Sequence, residues 1–196
     1  MIVNTSLKSL LLASLLVLPL SALAGWQLDG DDSSVQFVSV KKSSIVETHH
    51  FKELNGKISD DGKALLEIAL SSVETNIPIR NERMQQMLFN TAKFASATIN
   101  ATVDTAKLKS LAPGKTMPVS SDLSLEIHGS QKSYKADLQV TGLENGGLLV
   151  TTTAPIVVNA GDFKLLEGIE KLRQVAGLDS ISPLVPVSVK LVFKQD

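Results

Sequence analysis

The 196-residue chain contains no cysteine, which removes disulfides, thiolate metal sites, a Cys nucleophile and a lipid-modified N-terminal Cys together. Histidine is nearly as scarce. Only His49, His50 and His128 occur, so a Ser-His-Asp device would have to use one of them, and no Gly-x-Ser-x-Gly elbow accompanies any. No Walker or dinucleotide glycine pattern is present. Charge shows no excess of either sign: 19 basic against 20 acidic residues give a net charge of −1, which offers nothing to a phosphate backbone and excludes nucleic acid as a partner. Aromatics are few, with six Phe, one Tyr and one Trp, so any internal wall must be mostly aliphatic. An apolar fraction of 43% argues against disorder.

What is present begins with an export signal. Lys8 precedes the short apolar run Leu10 to Leu18, Pro19 ends it, and Ala22-Leu23-Ala24 supplies the small-x-small pattern of a cleavage site. The run is shorter than the ~20 residues a spanning helix needs. The reading predicts cleavage after Ala24, a mature domain from Gly25 to Asp196, and a location in a bacterial periplasm.

The mature chain alternates apolar and polar residues over short stretches punctuated by turn residues, the period of half-buried strands. Strands are predicted near Val35 to Val40, Ile45 to Phe51 continuing toward Ile58, Ala64 to Leu70, Ala97 to Val103, Val119 to Ile127, Tyr134 to Thr141, Leu148 to Val158 and Val185 to Phe193. Asp29-Gly30-Asp31-Asp32-Ser33 reads as a turn ahead of the first strand; Ser34 and Val40 stand where a calcium loop needs Gly and Glu. Two segments follow a helical period instead: Pro78 to Phe89, with Arg80, Met84, Met87 and Leu88 on one face, and Phe163 to Ala176, with Asp162 as N-cap, the stripe Leu165, Ile169, Leu172 and Ala176, and Gly177 as stop. The fold class is therefore mainly β: a single antiparallel barrel of eight strands with two short helices.

Adjacent strand residues point to opposite faces, so His49 and His50 cannot both ligate one metal, and a solvated pair is expected. His128 follows Ser124 and Glu126 on the face opposite Leu123, Leu125 and Ile127, which predicts a position outside the barrel. The Met84, Met87, Leu88, Phe89 and Phe94 group is either plain core packing or the adaptable lining of a ligand cavity. Arg80 shares that stripe. Its charge must reach water, an ion pair with Asp29, Asp32 or Asp162, or the polar head of a ligand.

Four blocks of residues resemble the YceI-like family of periplasmic, lipocalin-like lipid binders. Trp26-x-Leu28-Asp29-x3-Ser33-x-Val35-x-Phe37 is similar to the family's opening aromatic-x-Ile-Asp-Pro-x-His-Ser-x-Val-x-Phe. Phe51-x3-Asn55-Gly56-x-Ile58 resembles its Phe-x4-Gly-x-Ile block. Ser72-Val73-Glu74-Thr75 leading to Arg80-Asn81, Met84, Leu88-Phe89 and Lys93-Phe94 is similar to its Ser-Ile-x-Thr, Arg-Asp-x-x-Leu, Phe-Phe and Lys-Tyr-Pro run. Val158-Asn159-x2-Asp162-Phe163 resembles Ile-Asn-Arg-x-Asp-Phe-Gly. The chain departs at Asp32, Asn81, Ala160 and Lys164, where the pattern has His, Asp, Arg and Gly. The resemblance implies an elongated barrel enclosing an isoprenoid or other long-chain lipid, with no catalytic residue to carry over.

Barrel dimensions agree with that expectation, since eight strands leave room for one small ligand and eight residues of strand span roughly 26 Å. The sequence thus predicts a non-catalytic periplasmic carrier without cofactor or metal. Its ligand is a polyisoprenoid, an isoprenoid quinone or a fatty-acyl chain, and its ligand-binding residues are Phe37, Phe51, Arg80, Met84, Met87, Leu88, Phe89 and Phe163. Transient contact with a membrane surface and a homodimer stay open as further associations. The alternative is an interaction module with a filled core that contacts a membrane or an electron-transfer partner.

Overall fold

A computed structural model describes residues 25–196; the expected export signal lies outside the described residues. Among the described residues eleven strands form: β1 (Trp26–Lys41), β2 (Ile45–Phe51), β3 (Leu54–Ile58), β4 (Lys63–Ala69), β5 (Val73–Glu74), β6 (Ser96–Thr102), β7 (Thr116–Ile127), β8 (Ser130–Gly142), β9 (Leu148–Thr152), β10 (Ile156–Asn159) and β11 (Leu184–Gln195). Eight of them close a ring in the order β1-β3-β4-β6-β7-β8-β9-β11, with β11 returning to β1 from Trp26↔Gln195 to Phe37↔Val187. Every pairing in the ring is antiparallel. The remaining strands prolong the wall at one end, where β2 and β5 continue from β1 and β10 pairs with the start of β11. Closure leaves the ring without an open edge, which protects an all-β chain from edge pairing.

Each of the eight predicted strand segments falls on observed strand, but two are divided, Ile45 to Ile58 into β2 and β3 and Leu148 to Val158 into β9 and β10, and the first starts earlier than expected. Asp29 to Ser33 is not a turn ahead of β1 but a bulge within it, where the register with β11 jumps between Asp29↔Val192 and Ser34↔Lys190. The polar residues that suggested a turn hold the bulge together. Asp29 Oδ1 accepts the N–H groups of Asp31 and Asp32 at 3.2 and 3.4 Å, and Ser33 Oγ accepts that of Val192 at 2.9 Å.

Helices cover both ends. At one end stand α1 (Pro78–Arg83), a π-helical turn over Met84–Phe89, a 3₁₀ turn over Ala160–Phe163 and α3 (Leu166–Val175). This is the capped end. The opposite end carries α2 (Thr105–Lys109), capped by Asp104, whose side chain accepts the Lys107 N–H at 3.2 Å. Five residues are too few to show a helical period, so this helix is not legible in the sequence. Trp26, 1% exposed, also lies there and donates its indole N–H to the Gly146 carbonyl at 2.9 Å. Gly146 adopts φ +73° and Asn145 +56°, the left-handed pair that the Glu144-Asn145-Gly146-Gly147 link requires.

Both predicted helices differ in detail from the regular spans expected. The first changes at Met84 to i→i+5 hydrogen bonding and ends on Asn90 at φ +49°. That wider turn buries Met84 and Phe89, five residues apart, where regular α periodicity would bury the Met84, Met87 and Leu88 stripe. In the second, Asn159 rather than Asp162 caps, accepting the Gly161 N–H at 3.0 Å, and it caps the 3₁₀ turn. Lys164 at φ +59° then breaks the chain direction before α3 begins. Leu165, Ile169 and Leu172 face the core, while Ala176 is exposed. Gly177, at φ +61°, stops the helix as expected.

Candidate functional site

Alternation of side chains on each strand makes the barrel interior. Leu123, Leu125 and Ile127 face inward from β7, Val35 and Phe37 from β1, and Val187 and Val189 from β11. They do not fill it. Two chambers of about 430 Å³ and 160 Å³ lie end to end and share Ile99, Leu123, Ile156 and Val189 as a common waist. The larger adjoins α2. Its walls are Ala64, Ala101, Val103, Val140, Val150 and Leu191, and a polar rim of Asp104, Lys107, Ser120 and Ser121 borders it.

The smaller chamber lies beneath the caps, with Leu88 and Phe89 from the π-helical turn and Leu165 and Ile169 from the α3 segment closing it. Apart from the Tyr134 ring, every lining residue is aliphatic or Phe. Ala160 contributes a methyl group to this roof and is 4% exposed. An Arg there, as in the family pattern, would put a guanidinium against the chamber.

Four of the residues expected to bind ligand meet at this chamber: Phe37, Phe51, Leu88 and Phe89. The three Phe rings form a ladder, with centroids 5.3 Å apart for Phe37 and Phe51 and 5.9 Å for Phe51 and Phe89. The other four do not line it. Met84 is buried in the core, Met87 is half-buried against α3, and Phe163 is fully buried, stacked behind Tyr134 at 6.4 Å. Arg80 lies beyond the chamber, and its partner is neither Asp29, Asp32 nor Asp162. Its Nη1 donates to Glu47 Oε2 at 2.7 Å and its Nη2 to the Thr75 carbonyl at 2.7 Å. Glu47 is 33 residues away and faces α1 only because β2 pairs with β1.

The expected solvated His pair is also corrected. His49 is 3% exposed and faces inward, on the same side of β2 as Phe51, whereas His50 is half-buried on the other side. Period-two counting back from Phe51 gives this parity. Burial first, and then the charge of Arg80, depress the His49 pKa and keep the ring neutral. His49 Nε2 pairs with Ser39 Oγ at 2.9 Å, with Glu47 4.0 Å away. Lys41 bonds Glu47 as well and, with Arg80, holds its carboxyl below the usual carboxylate range. His128 is not simply outside the barrel. It takes φ +53° in the β7–β8 turn, half-buried, with its ring 4.2 Å from that of Phe94.

Beside this cluster Asn81 ties α1 to β5. Its Oδ1 accepts the Thr75 N–H at 2.9 Å and hydroxyl at 2.6 Å, and its Nδ2 donates to Glu74 Oε1 at 3.0 Å. An ionised Asp, the residue of the family pattern, could not make that donation. With Lys52 and the Asn76 N–H, Asn81 holds the Glu74 pKa at about 2. Among the described residues no group of three or more His, Cys, Asp or Glu is placed to hold a metal ion.

A closed antiparallel barrel with an apolar interior and helical caps defines the class of closed eight-stranded β-barrels. Within that class the chain belongs to the YceI-like domain family, whose model matches residues 26–193. It is similar to the polyisoprenoid binding domain from Saccharophagus degradans implicated in plant cell wall breakdown, at 39% identity and TM-score 0.86, covering 88% of this chain and 99% of that one. Burkholderia cenocepacia BcnA shares the fold at 16% identity and TM-score 0.66, over 84% of this chain and 98% of that one. The Campylobacter jejuni YceI protein does so at 17% identity and TM-score 0.52, over 76% and 84%. No curated protein sequence matches the chain.

Proposed function

We propose that this protein is a non-catalytic periplasmic carrier that shields one long-chain apolar lipid, a polyisoprenoid, an isoprenoid quinone or a fatty-acyl chain, inside its barrel. The observation that carries this reading is the pair of adjacent chambers, lined mainly by aliphatic side chains and sharing the wall residues Ile99, Leu123, Ile156 and Val189. Each methylene moved from water into such a wall contributes about 0.8 kcal/mol before the costs of association. A similar domain named for polyisoprenoid binding supports the isoprenoid class, and unfilled space favours a carrier over a filled-core module. Export rests on the leader pattern ending at Ala24.

The same reading includes contact with a bilayer through the capped end. Large exposed apolar side chains gather there, among them Ile45, Val46, Ile79, Leu166, Val175 and Leu184. The test is organic extraction of protein purified without detergent from its own host. One long-chain lipid per barrel is expected, and an extract empty of lipid, together with no uptake from added polyprenol, quinone or fatty acid, contradicts the carrier.

A further inference from the structure

The inner face of the β1–β2 pair changes character along its length. Val35 pairs with Phe51 and Phe37 with His49; Val35, Phe37 and Phe51 line the smaller chamber. His49 follows on the same inward face but lines neither chamber; its ring lies just beyond the smaller one, its centroid 5.2 Å from that of the lining Phe37. One rung further out Ser39 pairs with Glu47, and Arg80 reaches the same carboxylate from α1. The apolar wall thus gives way to a polar cluster in which His49 is buried and Glu47, Lys41 and Arg80 are partly exposed.

That group is incompletely satisfied. His49 is 3% exposed, yet its Nδ1 is buried without a hydrogen-bond partner, and Arg80 Nε is buried without one as well. A buried donor left unmatched has lost its hydrogen bonds to water without replacement, which favours a ligand acceptor that restores one. Arg80 Nε can only donate. In the tautomer in which Ser39 donates its hydroxyl to Nε2, His49 carries Nδ1–H as a second donor. Lys41 and Arg80 face the single carboxylate of Glu47, so the cluster carries an excess positive charge that favours an electron-rich visitor.

We propose that His49, Ser39 and Arg80 form a head-group subsite that accepts an oxygen, a carbonyl or carboxylate, of the lipid whose tail fills the chambers. This rests on the carrier reading and adds an orientation to it. The head lies at the capped end, and the tail runs through the waist toward α2. A head that presents only acceptor oxygens satisfies both unmatched donors, and a pure hydrocarbon satisfies neither.

The experiment compares hexadecanoic acid, a short-tailed isoprenoid quinone and hexadecane as competitors for one fluorescent fatty-acyl probe on delipidated protein, parent and His49→Phe. The Phe ring keeps the packing on Phe37 and removes the donor. The parent is expected to prefer an oxygen-headed competitor over hexadecane by roughly tenfold, one hydrogen-bonded head's worth of free energy, and His49→Phe to erase most of that preference. Which of acid and quinone shows it identifies the head. An equal preference in both proteins overturns the subsite and leaves the carrier standing, whereas failure of all three competitors overturns both. Should His49→Phe not fold, the ¹⁵N resonance of His49 Nδ1 in the parent decides: it shifts with the oxygen-headed ligand and not with hexadecane if the subsite exists, and a resonance unmoved by all three overturns it.

Discussion

Gly168 of α3 lies against Leu88 so closely that a Cβ on the glycine would stand 2.8 Å from the Leu88 Cα and 2.6 Å from the neighbouring Met87 carbonyl oxygen. Both obstacles are backbone, so neither can swing aside. This contact sets how α3 and the π-helical turn close over the smaller chamber, whose roof they supply with Ile169, Leu88 and Phe89. Gly168→Ala is therefore expected to part the two caps and lower stability by about 1–3 kcal/mol, the usual cost of overpacking. Chemical denaturation reads the loss, and faster exchange of a bound fluorescent fatty acid should accompany it. Unchanged stability would mean the caps adjust freely.

The amide of Asn81 should be irreplaceable by the carboxylate of the family pattern. Asn81→Asp sets two carboxylates together where Nδ2 now donates to Glu74, so the melting temperature at pH 7 should fall by several degrees. Acidification should narrow the gap between variant and parent, because a protonated carboxyl can donate again. A gap that is constant from pH 7 to pH 4 would show that the amide donation matters little.

His49 gives the fold its own acid sensitivity. Its folded pKa lies below the ordinary 6.5, chiefly through burial, with Arg80, Lys41 and His50 also opposing its charge and Glu47 favouring it. The unfolded chain then binds the extra proton first. Stability is complete above pH 6.5 and declines as pH falls through the folded pKa. His49→Phe should flatten that part of the stability–pH curve between pH 7 and 5. A curve identical to that of the parent would assign the acid sensitivity to other groups.

Lys164 holds a left-handed φ of +59° at the break before α3, the position where the family pattern has Gly. Lys164→Gly relieves backbone strain of about 1 kcal/mol, set against the greater freedom glycine gains when unfolded. A small rise in melting temperature is expected. A fall of several degrees would show that the Lys side chain itself matters.

Local pattern carried the strands, because a two-residue period needs no knowledge of the rest of the molecule. Spacing alone puts Leu123, Leu125 and Ile127 on one face, and they line the smaller chamber together. Phe37 and Phe51 were equally legible. What escaped depends on partners distant in sequence or on local geometry finer than a period. Arg80 finds Glu47 across 33 residues, a pairing that β1–β2 register creates and spacing does not encode. The π-helical turn shifts Phe89 rather than Met87 into the core by one extra residue in a hydrogen-bonded ring. The polar run from Asp29 to Ser33 has the composition of a turn, but β11 pairs on either side of it and makes it a bulge. His49 was within reach: two residues before Phe51 on one strand, it shares that residue's inward face.

The carrier reading stands or falls on the chambers being occupied. Ala97 lines the smaller chamber from β6, 3% exposed, and Ala64 lines the larger from β4. Native mass spectrometry of the parent and of Ala64→Phe/Ala97→Phe, both purified without detergent from the natural host, tests this most directly. The account predicts a discrete added mass of one long-chain lipid on the parent, and its loss from the filled variant with circular dichroism unchanged. A parent without added mass, or a folded variant that keeps it, would contradict the account.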